Sequence, residues 1–269
     1  MSKILILGGG FAGIYTAKAL NKSKFRGLDI ELISDNNYFI FQPLLPEVAS
    51  GTINSSDAVT PIRQMLKNIK FRNAEVSGID FQKKEVVIQQ GFKKSTHRIS
   101  YDQLVIALGQ VSNLDIVPGL KDHAFKMRSL QDAHDLRNHI IGCLELADVT
   151  ADNKLRNRLL NFVVVGGGFS GVETVGEIKE MIDRLIPYYG SLVKGDVKFH
   201  IIEFANQLLP DMNKNIGNYT LRKFIKNNIE VNLNTSLEQV TQYKVFLSGK
   251  KTIDTHTVIS TIGSSVSTL

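Results

Sequence analysis

Apolar positions along the chain fall into short runs closed by glycine. Residues 3–7 (KILIL) run into Gly8-Gly9-Gly10. A run of that length with a glycine boundary predicts a buried parallel strand. From Phe11 to Leu20 the spacing changes, with Ile14, Ala17 and Leu20 on one side of a helix. Residues 29–33 give the next strand, so the chain opens as strand, helix, strand. Residues 36–51 (NNYFIFQPLLPEVASG) are aromatic and proline-bearing and read as an irregular loop, too apolar to lie free in water. Residues 74–100 read as β-rich, with a turn at Gly91, and 104–108 (LVIAL) as another buried strand ending at Gly109.

Ala133, Leu136, Ile140, Leu144 and Ala147 recur at three- and four-residue steps, which predicts helix over 129–159. The opening pattern then returns. Residues 162–165 (FVVV) run into Gly166-Gly167-Gly168, and a helix follows through Ile186. A strand at 198–202 ends on Glu203. Leu221, Phe224 and Ile225 mark a further amphipathic helix. Short strands follow at 229–233 and around Val245, and the last apolar strand, 257–262, ends at Gly263. The predicted fold is α/β, with two Rossmann-like dinucleotide-binding units and a small antiparallel β-hairpin region. The expected divisions are 1–113 for the first dinucleotide-binding domain, 114–160 for a helical connection and 161–269 for the second dinucleotide-binding domain.

The repeat is GGGFAG at 8–13 and GGGFSG at 166–171, each between a strand and a helix. A single G-x-G-x-x-G is a weak signal, but strand and helix on either side are the context that gives it meaning. Gly8 and Gly166 permit the tight turn. Gly10 and Gly168 let a pyrophosphate approach the backbone, and Gly13 and Gly171 let helix and strand pack closely. Helix starts at Phe11, Ala12 and Gly13, and at Phe169, Ser170 and Gly171, offer free N–H groups to phosphate. Glu203 ends the second strand of the second unit, where a carboxylate binds both ribose hydroxyls and repels a 2′-phosphate; this favours NADH over NADPH. In the first unit that strand ends on Ser34, and the acid, Asp35, comes one position late. Two such units imply two redox cofactors, FAD and NADH, with hydride transfer over about 3–3.5 Å and no side-chain nucleophile.

Composition narrows the class. Across 269 residues, 32 basic and 26 acidic side chains give +6, compatible with an anionic cofactor, a membrane surface or a polyanion; nothing else points to nucleic acid. Five of the 18 residues from Phe81 to Arg98 are basic against one acid. A solvated hairpin is the simpler account of that bias and a membrane-facing or polyanion patch the other. No run is long enough to span a bilayer, and MSKILILGGG does not read as a signal peptide. The single cysteine, Cys143, reads as packing. One cysteine excludes a disulfide reductase or a sulfide-oxidising flavoprotein, so the electron acceptor must be external. The six histidines show no ligand spacing, and no metal is expected.

Taken together, GGGFAG, NYFIFQPLLPEVASG at 37–51, YDQLVIALG at 101–109, SLQDAHDLR at 129–137, VVVGGGFSGVETVGE at 163–177 and IIE at 201–203 resemble the type II NADH:quinone oxidoreductases, single-subunit NADH dehydrogenases that do not pump protons. The resemblance implies FAD on the first unit, NADH on the second and quinone as acceptor. It places Pro43, Leu44 and Leu45 beside the flavin ring, Ala107 and Gly109 on FAD, and Glu173 and Glu177 near the nicotinamide as the catalytic candidates. Gly263 joins the cofactor-contacting candidates. A structural role for Glu173 at the helix start is the plainer alternative.

In that family the chain returns to the first unit after the second, bringing a Gly-Asp flavin contact, the quinone pocket and C-terminal amphipathic helices for the membrane surface. Here the sequence stops at IGSSVSTL. The resemblance therefore implies a truncated chain that is poorly active alone and holds NADH better than FAD. The complete protein would be cytoplasmic or peripheral on the cytoplasmic face of the inner membrane, with a homodimer allowed. Two other readings stay open: a soluble FAD- and NAD-dependent reductase of a small iron–sulfur carrier, and a non-catalytic NADH-binding remnant.

Overall fold

In the computed structural model, which describes residues 2–23, 27–266 and 269, the chain divides into two compact units. The first comprises Met1–Phe41, Ser56–Val111 and Ser264–Leu269, and the second Gln42–Ser55 and Ser112–Gly263. The 114–160 stretch, expected as a connection, thus groups with the second unit, as does 42–55.

The first unit is built on a four-stranded parallel sheet in the order Lys70–Asn73, Leu28–Ser34, Ser2–Leu7, Gln103–Ile106. Strand alternation sends Ile4 and Ile6 to one face and Leu5 and Leu7 to the other. On the first face they meet Ile14 and Ala17 of the Phe11–Lys22 helix, with Leu32, Ile62 and Phe71. On the second they meet Val86, Ile88 and Ile99. Those three belong to an antiparallel meander, Glu75–Asp80, Glu85–Gln90 and Ser95–Ser100, one strand more than a simple hairpin.

The second unit repeats the plan. Its five parallel strands run Ala124–Lys126, Thr257–Ser260, Asn161–Val165, Lys198–Ile202, Ile229–Asn232. A second meander, Leu237–Thr241, Lys244–Leu247 and Lys251–Asp254, covers one face through Val240, Val245 and Leu247 against Val163, Val165 and Val258. Two of its strands, Leu237–Thr241 and Lys251–Asp254, went unread in the sequence because most of their positions are polar.

Three other expectations change. The 36–51 segment is largely regular: strand Tyr38–Ile40, a 3-10 turn Gln42–Leu44 and helix Leu45–Ser50. Pro46 falls in that helix's first turn, where its missing N–H costs nothing, and Gly51 closes it with φ +72°. The 129–159 helix is two helices, Leu130–Val149 and Asn153–Leu159. Ser129 and Asp132 cap the first reciprocally. The Asp152 carboxylate accepts the Lys154 and Leu155 N–H groups, so a new helix starts there instead of continuing the old one. In the Lys214–Lys226 helix, Phe224 is buried but Ile225 points outward.

A fully buried carboxylate stabilises the first sheet. Glu31 receives a hydrogen bond from Arg72 Nε at 2.7 Å, with Lys70 and Lys3 Nζ at 3.4 and 3.5 Å. Burial alone would raise its pKa. The Arg72 hydrogen bond and the charges of Arg72, Lys70 and Lys3 outweigh that and hold it below the ordinary 4.5. A depressed carboxylate contributes stability above its unfolded pKa and loses it as pH falls through the folded value. Glu31→Gln should therefore lower unfolding stability by about 2 kcal/mol at pH 7. In urea titrations across pH, the difference from wild type should close at pH values below the folded pKa.

Candidate functional site

Each unit carries the same backbone device where its first strand meets its first helix. Gly8 turns at φ +108° and Gly166 at φ +106°. Gly8 N–H donates to Ile33 O and Gly166 N–H to Ile202 O, both at 2.8 Å. In the helix that follows, Gly13 lies against Gly8 O and Gly171 against Gly166 O, so closely that a Cβ at either would collide with that carbonyl. Gly10 and Gly168 differ from these. They are the N-cap residues, and a Cβ there would meet no protein atom within 4 Å. Neither helix has a capping side chain or an acid in its first turn. The N–H groups of Phe11, Ala12 and Gly13, and of Phe169, Ser170 and Gly171, are thus left to an anion outside the chain.

The correspondence extends past the glycine motif. Ala107 N–H donates to Leu7 O at 2.8 Å, and Thr261 N–H to Val165 O at 3.0 Å. The Gly8 turn abuts the Ala107 carbonyl; the Gly166 turn abuts the Thr261 hydroxyl, which donates to Val165 O at 2.9 Å. Gly109 at φ +71° and Gly263 at φ +80° each come two residues later. Thr261 was missed from sequence. Its signal is alignment of A-L-G (107–109) with T-I-G (261–263), which emerges only when the two halves are compared beyond their glycine loops.

Strand register fixes which residue faces each loop. Leu7 pairs with Ile33 and Val165 with Ile202, so the next residues, Ser34 and Glu203, are equivalent. The Glu203 carboxylate accepts Gly167 N–H at 2.5 Å and Ala205 N–H at 2.6 Å and is nine-tenths buried. Ser34 takes this place against Gly9. Asp35 is displaced one step and exposed, accepting a hydrogen bond from the Asn36 side chain.

In the 42–55 segment of the second unit, Pro43 is exposed, Leu44 half-buried and Leu45 buried at 1% exposure. Glu177, on the Phe169–Leu185 helix, accepts hydrogen bonds from the Ser50 and Thr52 hydroxyls at 2.7 and 3.0 Å, and Arg184 donates to Thr52. Glu177 so fastens the short helix's C-terminal end, a tie that needs the tertiary fold to be seen. Glu173 lies one turn earlier. Burial first, then the Glu47 and Glu177 charges, raise its pKa.

Elsewhere in this unit, Cys143 is buried beside His139 and Thr257, and burial pushes its thiol up to about 11, an inert packing state. Among the described residues no group of three or more His, Cys, Asp or Glu side chains could hold a metal ion. No described helix is long and apolar enough to cross a membrane.

The paired cradles and their strand-end glycines define a two-dinucleotide oxidoreductase fold. The chain belongs to the pyridine nucleotide-disulphide oxidoreductase family, whose model matches residues 2–269. Among curated proteins it is similar to the external alternative NAD(P)H-ubiquinone oxidoreductase B2 of Arabidopsis thaliana mitochondria. That relative is 33% identical over 249 residues, which are 89% of this chain and 42% of the relative. It is similar also to the type II NADH:quinone oxidoreductase NdhA of Mycobacterium tuberculosis, 33% identical over 88% of this chain and 50% of that protein. Among solved structures, NDH2 of Plasmodium falciparum in complex with NADH matches all of this chain with 56% of its own, at a TM-score of 0.91 and 28% identity. The chain thus spans about half or less of the curated relatives named here.

The glycines separate packing from ligand access. Gly171→Ala should destabilise the chain by about 1–3 kcal/mol through the collision with Gly166 O. Gly168→Ala, facing open space, should cost only a few tenths; thermal unfolding of the two variants checks this. Glu173 carries the opposite sign to Glu31. A raised carboxylate pKa gives stability that is full below the unfolded value of 4.5 and lost as pH rises through the folded value. Glu173→Gln should raise the melting temperature at pH 7 and not at pH 4, by a small amount because the side chain is exposed.

Proposed function

We propose that this chain is the dinucleotide-binding part of a type II NADH:quinone oxidoreductase. The first unit binds FAD and the second NADH. Bound NADH supplies a hydride that bound FAD accepts; this chain's own residues place both. The observation that carries the reading is the duplicated cradle: two helix starts with free N–H groups, each with an open N-cap glycine at the same backbone position. Both fit a pyrophosphate.

Glu203 supports NADH in the second unit. Each carboxylate oxygen has one backbone partner and keeps a lone pair, which suits a ribose diol and opposes a 2′-phosphate. In the first unit Ser34 leaves that position uncharged, so FAD would be held there chiefly through its pyrophosphate, by Gly8, Gly10 and Gly13 with the Phe11 and Ala12 N–H groups. Asp35 remains a candidate ribose partner. Ala107 and Gly109, and Gly263 in the second unit, would line the approach to the reactive rings.

Glu173 is the candidate proton-carrying group near the nicotinamide, and Glu177 positions its surroundings. Pro43, Leu44 and Leu45 are the flavin-loop candidates. With one inert cysteine the electrons leave to an external acceptor. A membrane quinone is supported by the names of the relatives at 33% identity. Attachment to the cytoplasmic face of the inner membrane and a homodimer belong to the same reading of the complete protein.

Calorimetric titration tests it. NADH should bind at least about tenfold more tightly than NADPH, and Glu203→Ala should erase most of that difference. Gly168→Ala should weaken NADH about tenfold or more while leaving the melting temperature nearly unchanged. Equal NADH affinity in wild type and Gly168→Ala would remove the cradle from the mechanism.

A further inference from the structure

The meander of the first unit, Glu75–Asp80, Glu85–Gln90 and Ser95–Ser100, ends in two turns that look alike in sequence, FQKK at 81–84 and GFKK at 91–94. They lie at opposite ends of the central strand and differ in charge. At the first, Phe81 is exposed, but Asp80 accepts the Gln82 and Lys83 N–H groups and pairs with Lys83 at 4.0 Å, while Glu85 pairs with Arg98. That turn has its own counter-charges. At the second, residues 91–97 hold Lys93, Lys94 and His97 and no acid. The facing carboxylate is Glu75, on the neighbouring strand, in an exposed pair with Lys94 at 3.3 Å. Arg72, donating to Gln90 at this end, adds a further cation, whose own partner is the buried Glu31. Lys93 has no ion-pair partner among the described residues.

Phe92 is fully exposed, more than any other large apolar side chain described. The backbone holds it there. Gly91 at φ +75° and Lys94 at φ +47° close the turn, with Lys94 N–H donating to Gly91 O at 3.0 Å. The two strands beneath pair without a break from Gln90–Ser95 to Glu85–Ser100. At their base Val86, Ile88 and Ile99 are packed in the core. The ring is therefore presented on a stiff, anchored stalk, with cations beside it.

We propose that the Gly91–Lys94 turn is a membrane-contacting tip. Phe92 enters the boundary between headgroups and acyl chains of a bilayer containing anionic lipid, and Lys93 and Lys94 lie at the headgroup phosphates. An apolar ring in water has burial to gain, and adjacent lysines are drawn to an anionic surface and keep their charge at its polar level. The contact uses residues within the described chain and is independent of the redox reading. A phosphate polymer offers the same charge but nowhere to bury the ring, so the exposed phenylalanine favours lipid.

The test is sedimentation of the chain with phosphatidylcholine vesicles, with and without phosphatidylglycerol. Wild type should partition to the anionic vesicles only, and less at high salt. Phe92→Ala and Lys93→Glu should each reduce partitioning about tenfold, whereas Phe81→Ala should leave it unchanged. In Phe92→Trp, the only tryptophan in the sequence, emission should shift to the blue with anionic vesicles and be quenched by brominated acyl chains. Emission that stays at its solvent position, partitioning unaffected by Phe92→Ala, or equal loss in Phe81→Ala would overturn the proposal. So would binding to a phosphate polymer that depends on Lys93 while vesicle binding does not depend on Phe92. Each variant's melting temperature and NADH affinity should match wild type, which separates this outcome from misfolding and from failure of the cofactor reading.

Discussion

Contact between one glycine and the carbonyl of another determines what both units of this chain can do. Gly13 on Gly8 O, and Gly171 on Gly166 O, bring the first turn of a helix onto the end of a buried strand with no side chain between them. Only that approach lets the helix's unpaired N–H groups reach the edge of the sheet, where the positive φ of Gly8 and Gly166 has already turned the chain. The hydrophobic faces of both sheets, the caps and the meanders hold this junction fixed. Its energetic consequence is local: at each helix start three backbone donors are left without a capping side chain and open to an anion.

Much of this was legible in the sequence, because glycine at a collision point has no substitute and so marks itself. The α/β class, the parallel strands, both glycine loops and Glu203 follow from runs, periodicity and spacing. What stayed hidden depends on register or on distant pairing. The equivalence of Ser34 with Glu203 needs Leu7–Ile33 and Val165–Ile202 to be aligned. The helix at Leu45–Ser50 was read as loop because its prolines and aromatics dominate composition, although a first-turn Pro46 and a closing Gly51 are ordinary helix boundaries. The second meander was lost in polar strands. The 150–152 break lies just past Ala147, the last position of the apolar rhythm, and the side-chain bonds of Asp152 show where the helix restarts.

The duplication is deeper than its motif, and its departures are informative. The fold repeats strand, helix, strand, third parallel strand, antiparallel meander and closing strand in each unit. Against that common frame the changes fall at the edge where ligands bind. Ala107 becomes Thr261, which adds a hydroxyl bond to Val165 O under the second loop. Ser34 becomes Glu203, which adds a carboxylate gripping Gly167 and Ala205 N–H. Both changes stiffen the second cradle and leave the first with fewer fixed polar contacts. A loop organised before binding loses less freedom when a ligand arrives.

Glu47, Glu173 and Glu177 show how a carboxylate cluster can be divided by its surroundings. Glu177 has two hydroxyl donors, Ser50 and Thr52. Glu173 has burial and two negative neighbours, which disfavour the charge and raise its pKa. The same chemical group thus holds a neighbouring helix in one position and carries a raised pKa one turn nearer the cradle. That division requires the Ser50–Thr52 end of the short helix to stay on the Phe169–Leu185 helix. Gly51 closes that helix at φ +72°, a backbone conformation that a side chain would strain. The apolar 36–51 segment, the least regular part of the sequence to the eye, therefore supplies the Ser50 hydroxyl that, with Thr52 just beyond it, ties Glu177 in place beside Glu173.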